Sequence, residues 1–73
     1  NTINNNLFPN PVNSNLSIDV QKESELKIFN SMSNLIFQSN LEIGSNNIDM
    51  SKFENGVYFI SISNNIYRVV KVD

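Results

Sequence analysis

The chain is a succession of short apolar segments separated by turns rich in asparagine and serine. Residues 16–20 show the pattern most clearly, because apolar and polar side chains alternate along them. A period of two is typical of a β-strand with one buried face, and no segment shows a convincing 3.6-residue helical period. The pattern therefore predicts an all-β protein, with Leu16, Ile18 and Val20 facing its core and Ser17 and Asp19 facing outwards.

Further strands are predicted along the rest of the chain. They are residues 26–29, residues 35–38, a short strand of Leu41 and Ile43 that ends at Gly44-Ser45, and the two strands of a closing hairpin. Residues 30–34 and residues 54–56 are predicted to be turns, and residues 50–53 one helical turn or a corner. Six or seven short strands in a chain of 73 residues predict one small antiparallel β-sandwich.

The closing hairpin is the clearest of these elements. Asn64-Asn65 is predicted as its two-residue turn, since asparagine tolerates the left-handed backbone that such turns require. That turn would pair Ile62 with Tyr67. The predicted core face comprises Tyr58, Ile60, Ile62, Tyr67 and Val69, with Lys71 at its rim. A slip of one residue would exchange the two faces of the hairpin.

The composition excludes several kinds of chemistry. The chain has no cysteine, so it can form neither a disulfide nor a thiolate metal site, and it has no histidine to act as a general base. A formal net charge of −2 argues against a nucleic-acid partner. No apolar run approaches the roughly 20 residues that span a bilayer, so membrane insertion is not expected.

The carboxylates give no stronger signal for a site. Most of the seven lie at outward positions or in turns, as solubilising charges do. A glycosidase-like carboxylate pair and a calcium site at Asp49 and Glu54 are the weaker alternatives, because no cleft and no calcium-loop spacing are evident. We therefore predict no catalytic residue, no cofactor and no metal, and expect that the chain is not an enzyme.

Two motifs lie near the ends of the chain. Phe8-Pro9-Asn10-Pro11 contains the only prolines, and Gly56 begins the apolar stretch that leads into the closing hairpin. Each has an ordinary structural explanation, because proline often protects the first strand of a sandwich and glycine is common in turns. Their order and spacing along the chain are more informative than either motif alone.

In that order the motifs resemble the C-terminal sorting domain (type A) of cargo proteins of the type IX secretion system of Bacteroidota. The resemblance covers about residues 7–73. The matching segments are Phe8-Pro9-Asn10-Pro11-Val12, the alternating strand 16–20, the strand and loop 28–36, the stretch from Ile48-Asp49 through Gly56-Val57-Tyr58 to Ile62, and the basic and apolar strand 68–72. Ser33 stands where the loop glycine is usual, so Asn34 or Asn30 is expected to form that turn. Phe53 replaces the usual leucine.

The resemblance implies an immunoglobulin-like sandwich of about seven strands that is a secretion signal. It implies a cargo domain before it, with residues 1–6 as the linker end and residues 7–73 as the sorting domain. The implied partners are the type IX translocon and shuttle components and a cell-surface sortase, which removes the signal and attaches the cargo to the surface. The cargo would pass through the periplasm and become secreted or displayed at the cell surface.

Recognition by the secretion machinery is expected to use an exposed element such as a sheet edge. The last strand would offer its backbone groups for strand addition, with Arg68 and Lys71 as charge markers. The residues predicted to take part in recognition are Pro9, Asn10, Pro11, Gly56, Tyr58, Arg68 and Lys71.

A different class of function remains open from the sequence. The same sandwich could be an accessory immunoglobulin- or fibronectin-like module of a surface enzyme or adhesin, acting as a spacer or binding carbohydrate. Fold alone does not separate these alternatives, because β-sandwiches host many functions.

Overall fold

A computed structural model of the chain describes residues 6–8 and 11–73, and for residues 6–8 the backbone alone. The described residues form seven strands: β1 (Asn6–Phe8), β2 (Asn15–Val20), β3 (Ser24–Phe29), β4 (Leu35–Leu41), β5 (Gly44–Asp49), β6 (Gly56–Ile62) and β7 (Asn65–Lys71). The prediction of an all-β fold with about seven short strands is confirmed.

The strands form two antiparallel sheets. One sheet has the order β1-β2-β5, and the other has the order β4-β3-β6-β7. The chain therefore crosses between the sheets after β2, after β4 and after β5. This arrangement confirms the predicted β-sandwich.

The core lies between the two sheets. Leu16, Ile18 and Val20 are buried on β2, as their alternation predicts, while Ser17 and Asp19 are not buried. The buried side chains of the other sheet include Leu26, Ile28, Ile60, Ile62 and Val69. Each fully buried aliphatic side chain of this size stabilises the fold by about 1.5–3 kcal/mol, which explains why strict alternation determines the architecture.

The predicted fourth strand was wrong. Leu41 ends β4 and is buried, whereas Ile43 lies in the turn that follows and is 68% exposed. Gly44 begins β5 instead of ending a strand, with a φ of 103° that favours glycine. The Asn46 side chain holds this turn, because its Nδ2 donates to the Glu42 and Gly44 carbonyls at 2.9 and 3.2 Å.

The closing hairpin turns one residue earlier than predicted. Ser63 and Asn64 form its turn with φ values of 49° and 72°, and Ile62 pairs with Asn65. The register is therefore displaced by two residues, with Ile60 opposite Tyr67. A displacement of two keeps every side chain on its predicted face, so the predicted core face is confirmed although the pairing was wrong.

The loop before β4 places its strained residue where the resemblance expects glycine. Ser33 has a φ of 67°, so this serine adopts the left-handed conformation that usually favours glycine. Asn30 stabilises the loop, since its Oδ1 accepts hydrogen bonds from the Met32 and Asn34 amides at 2.9 and 3.0 Å. Asn30 therefore stabilises the turn, as expected. Neither Asn30 nor Asn34 adopts the left-handed conformation, which lies at Ser33. The expected corner at residues 50–53 is present, because the Phe53 amide donates to the Met50 carbonyl at 3.0 Å.

Candidate recognition surface

The two motifs near the ends of the chain meet in the folded protein. The Val12 amide donates to the Val70 carbonyl at 2.7 Å, and the Val72 amide donates to the Val12 carbonyl at 2.8 Å. These bonds form a parallel bridge between Val12 and Lys71. The segment at Val12 therefore lies beside β7 and continues the four-stranded sheet past it.

The local sequence explains this contact. Pro11 has a fixed φ and no amide hydrogen, so Val12 supplies the first available donor after the proline pair. The Val12 side chain is fully buried in the core, whereas Pro11 is exposed. Val12 thus joins the start of the chain to the closing strand by two backbone bonds and by packing.

Gly56 lies on the other side of the same strand. It is the first residue of β6 and stands opposite Lys71 in the register of β6 and β7. Its φ of 152° is unusual for a residue with a side chain. Val12, Lys71 and Gly56 therefore lie side by side across three neighbouring segments.

Lys71 is buried, with 3% of its surface exposed. Its ammonium donates to the Val72 carbonyl at 3.3 Å and lies 3.8 Å from an oxygen of the exposed Asp73 carboxylate. Since the side chain is covered, the expectation that Lys71 is displayed as a charge marker was wrong. Its aliphatic stem packs within the fold, and its ammonium is held beside the Val72 backbone.

Tyr58 is buried next to the corner before β6. Its hydroxyl donates to the Glu54 carbonyl at 2.5 Å, and its ring lies 5.5 Å from the Phe53 ring, centroid to centroid. Burial raises the pKa of Tyr58 above its usual value, and the Glu54 carboxylate acts in the same direction. Tyr58 therefore fixes the corner to the core and exposes little of its surface.

Arg68 is the exposed cation of the predicted set. It lies on β7 opposite Phe59 of β6, on the outer face of the four-stranded sheet. The fold thus brings together Pro11, Gly56 and Lys71, with Arg68 farther along the same strand. Pro9 and Asn10 lie outside the described residues.

The β7 edge differs from its prediction. The Val70 carbonyl and the Val72 amide already bond to Val12, so these groups are not available for strand addition. Sequence reasoning missed this role of Val12, although an apolar residue directly after Pro11 was its visible signal. The covered edge and the exposed residues beside it form one surface, which we call the β7 surface: Pro11, Gly56 and Arg68, supported by Val12 and Lys71.

A groove of about 400 Å³ lies between the loop before β4 and the corner before β6. Met32, Ile36 and Phe53 give it an apolar lining, and Glu54 is its acidic residue. Within residues 11–73, no group of three or more His, Cys, Asp or Glu side chains could hold a metal ion. Across the same part of the chain there is also no helix long and apolar enough to span a membrane.

Comparison with known proteins gives one assignment. A family model described as the secretion system C-terminal sorting domain matches residues 6–72. No curated protein gives a significant match. The matched range begins before Pro9 and ends just after Lys71, so it contains both motifs that the fold joins at Val12.

Proposed function

The chain belongs to the family of secretion system C-terminal sorting domains, and it is a type IX secretion signal. From that premise we propose how the signal works: the secretion machinery reads the β7 surface of the folded domain. Such a signal implies export of the attached protein across the outer membrane, to the medium or the cell surface. We also propose that the chain has no catalytic activity of its own.

The observation that supports this reading is the bonding between Val12 and β7. Two hydrogen bonds of 2.7 and 2.8 Å tie the proline-containing segment to the last strand, so the two motifs cannot be recognised as independent linear peptides while the domain is folded. A surface assembled from both ends of the domain is present only in the folded state. It therefore lets the machinery distinguish a folded signal from an unfolded one.

The proposed residues divide into two roles by their exposure. Pro11, Gly56 and Arg68 are exposed and would contact the translocon or a shuttle component. Tyr58 and Lys71 are buried and would position the strand that carries Arg68. Pro9 and Asn10 are proposed as contacts on the strength of their motif alone.

Removal of the signal by a cell-surface sortase and attachment of the cargo to the surface belong to the same proposal. Residues 1–6 would be the linker end from the cargo, with Asn6 already the first residue of β1, and residues 7–73 the sorting domain. A linker that precedes the folded unit would leave the cleavable bond outside the sandwich, where a protease can bind it in an extended conformation.

The test is a fusion of residues 1–73 to a reporter that a separate leader delivers to the periplasm of a host with this secretion system. We expect the reporter outside the cell, and we expect periplasmic retention in a matched host that lacks the translocon. Equal export by both hosts, or retention by both, would contradict the proposal. A third host without the sortase should export the fusion with the 73-residue domain still attached.

A further inference from the structure

The face of the four-stranded sheet that points away from the core carries a row of apolar side chains. Side chains alternate between the two faces of a strand, so the buried Ile28 and Ile60 place the neighbouring Phe29 and Phe59 outwards. The registers align these two phenylalanines with one residue of each flanking strand, and the row across the sheet is Leu35, Phe29, Phe59 and Arg68. Three apolar residues therefore stand in line, with a cation at the β7 end.

The neighbouring row, towards Gly56, is apolar as well. Val57 stands opposite Val70, and both are partly exposed. Leu35 is 50% exposed, and a bulge at Ile36 is what brings Leu35 opposite Phe29. We call these two rows the outer patch: Phe29, Leu35, Val57, Phe59, Arg68 and Val70.

The outward face of the other sheet has a different composition. The strands β2 and β5 place three pairs of residues outwards, and all six side chains are polar: Asn15 with Asp49, Ser17 with Asn47, and Asp19 with Ser45. A polar outward face is usual for a solvated antiparallel sheet, whereas a cluster of exposed apolar side chains marks a contact surface. The outer patch is therefore the face of the sandwich that is suited to a partner.

The charges on this face define the chemistry of that partner. The Arg68 guanidinium stays protonated and presents five donors in a fork that matches a carboxylate. The other cation of the face, Lys27, lies 4.0 Å from the Glu25 carboxylate, so its charge is balanced within the domain. Arginine beside aromatic side chains is the composition in which protein interfaces are enriched.

We propose that the outer patch is a docking surface for a protein of the secretion machinery that presents apolar side chains around a carboxylate, which pairs with Arg68. This inference rests on the proposed function and deepens it. It states the chemistry of the partner, and it extends the contact from Arg68 of the β7 surface across the sheet to Leu35 of β4.

A second copy of this chain fits the outer patch less well. Stacking one patch on another would bring apolar side chains together, but the outer patch contains no carboxylate that could meet Arg68. Covering a guanidinium without an acidic partner opposes association. A partner that carries its own carboxylate satisfies both the apolar and the charged part of the patch.

The experiment uses the reporter fusion and measures the fraction of reporter outside the cell. Leu35→Thr and Phe59→Thr should each lower that fraction about fivefold, the loss expected for a central interface contact. Ile66→Thr is the matched control, because Ile66 is 63% exposed on the same face but lies in the row of Ser61 and Lys27. Its export should equal that of the original fusion. Thermal unfolding of the purified variants shows which of them fold, and the half-exposed Leu35 decides the test if Phe59→Thr does not fold.

Three substitutions of Arg68 test the predicted carboxylate. Export should fall least for Arg68→Lys, which keeps the charge, further for Arg68→Gln, and most for Arg68→Glu, which repels a carboxylate. Equal export of the Gln and Glu variants would overturn the assigned chemistry. So would better export of the Glu variant, because the partner would then be cationic.

The original fusion separates this inference from the proposed function. If it is not exported, or is exported equally without the translocon, both fall. If its export requires the translocon and both Leu35→Thr and Phe59→Thr match it, the outer patch alone is overturned. An equal loss in Ile66→Thr overturns the patch too, since the effect would not be confined to it. A dimer in sedimentation equilibrium that Leu35→Thr dissociates does the same, because a second copy would then cover the face.

Discussion

The two edges of the four-stranded sheet, β7 and β4, differ in whether another described segment bonds to them. At β7, the Val12 backbone is hydrogen-bonded to the Val70 carbonyl and the Val72 amide. The strand also carries two positively charged residues, Arg68 and Lys71. At β4, no described strand pairs with the outer side, and the seven residues carry no charge. One edge is therefore covered by another segment of the domain, whereas the other is not paired within the described residues.

The difference shows where the family motifs lie in the fold. The motif residues concentrate around β7, where they close the sheet and create a surface that exists only in the folded state. The β4 edge has no motif of comparable clarity, although four of the six exposed large apolar side chains within residues 11–73 lie in or near β4.

The largest expected effect comes from truncating the buried Val12 side chain beside β7. Val12→Ala should lower the free energy of unfolding by about 2 kcal/mol, because it deletes two methyl groups from a fully buried side chain. Ile36→Ala at the β4 edge should change it by less than about 0.5 kcal/mol, since Ile36 is exposed. Urea unfolding of the two variants measures both changes. Equal losses would remove the distinction between the edges.

A smaller effect is expected at Tyr58, which is hydrogen-bonded to the corner before β6. Tyr58→Phe should cost about 1 kcal/mol, because it removes the hydrogen bond to the Glu54 carbonyl. The pKa of Tyr58 is raised in the fold, so its contribution is complete below the unfolded pKa of about 10 and is lost as pH rises through the folded pKa. The variant should therefore lose less stability than the original chain between neutral and strongly alkaline pH.

Tyr67→Phe is the matched control for that pH series. Tyr67 is the other tyrosine of the chain, and it lies on the same hairpin face as Tyr58. If both variants showed the same alkaline slope as the original chain, the assigned role of Tyr58 would be wrong.

The smallest expected effect is at Ser33, in the loop that leads into β4. Ser33→Gly should raise the free energy of unfolding by about 0.5–1 kcal/mol, because it relieves the left-handed conformation at a φ of 67°. Ser31→Gly in the same loop should give no gain, since Ser31 does not have a positive φ. Thermal unfolding of the two variants separates relief of strain from a general effect of glycine, and a gain in both would argue against strain at Ser33.

The sequence predicted the features that depend on local alternation. The buried faces of β2 and of the closing hairpin followed from a period of two, and the face assignment was preserved when the turn moved to Ser63-Asn64. It did not predict β5, because Gly44-Ser45 was predicted to end a strand and not to begin one. That strand depends on pairing with β2 and on the Asn46 side chain, which are contacts between distant parts of the chain.

The candidate site was predictable only in part for the same reason. The motif residues were identified from their order, but their exposure was not, so Lys71 was expected at the surface and is buried. The bond between Val12 and β7 spans nearly the whole chain, and no local pattern reports such a contact. The open β4 edge likewise follows from the order of the strands in the sheet, which alternation does not encode.

The most direct test of the central claim compares export of two charge variants in the reporter fusion. Arg68→Gln and Lys27→Gln each remove one positive charge from the outer face of the four-stranded sheet, the first on β7 and the second on β3 beside β4. We expect the fraction of reporter outside the cell to fall for Arg68→Gln and to stay unchanged for Lys27→Gln. Normal export of the Arg68 variant, or an equal loss in both, would contradict recognition at the β7 surface.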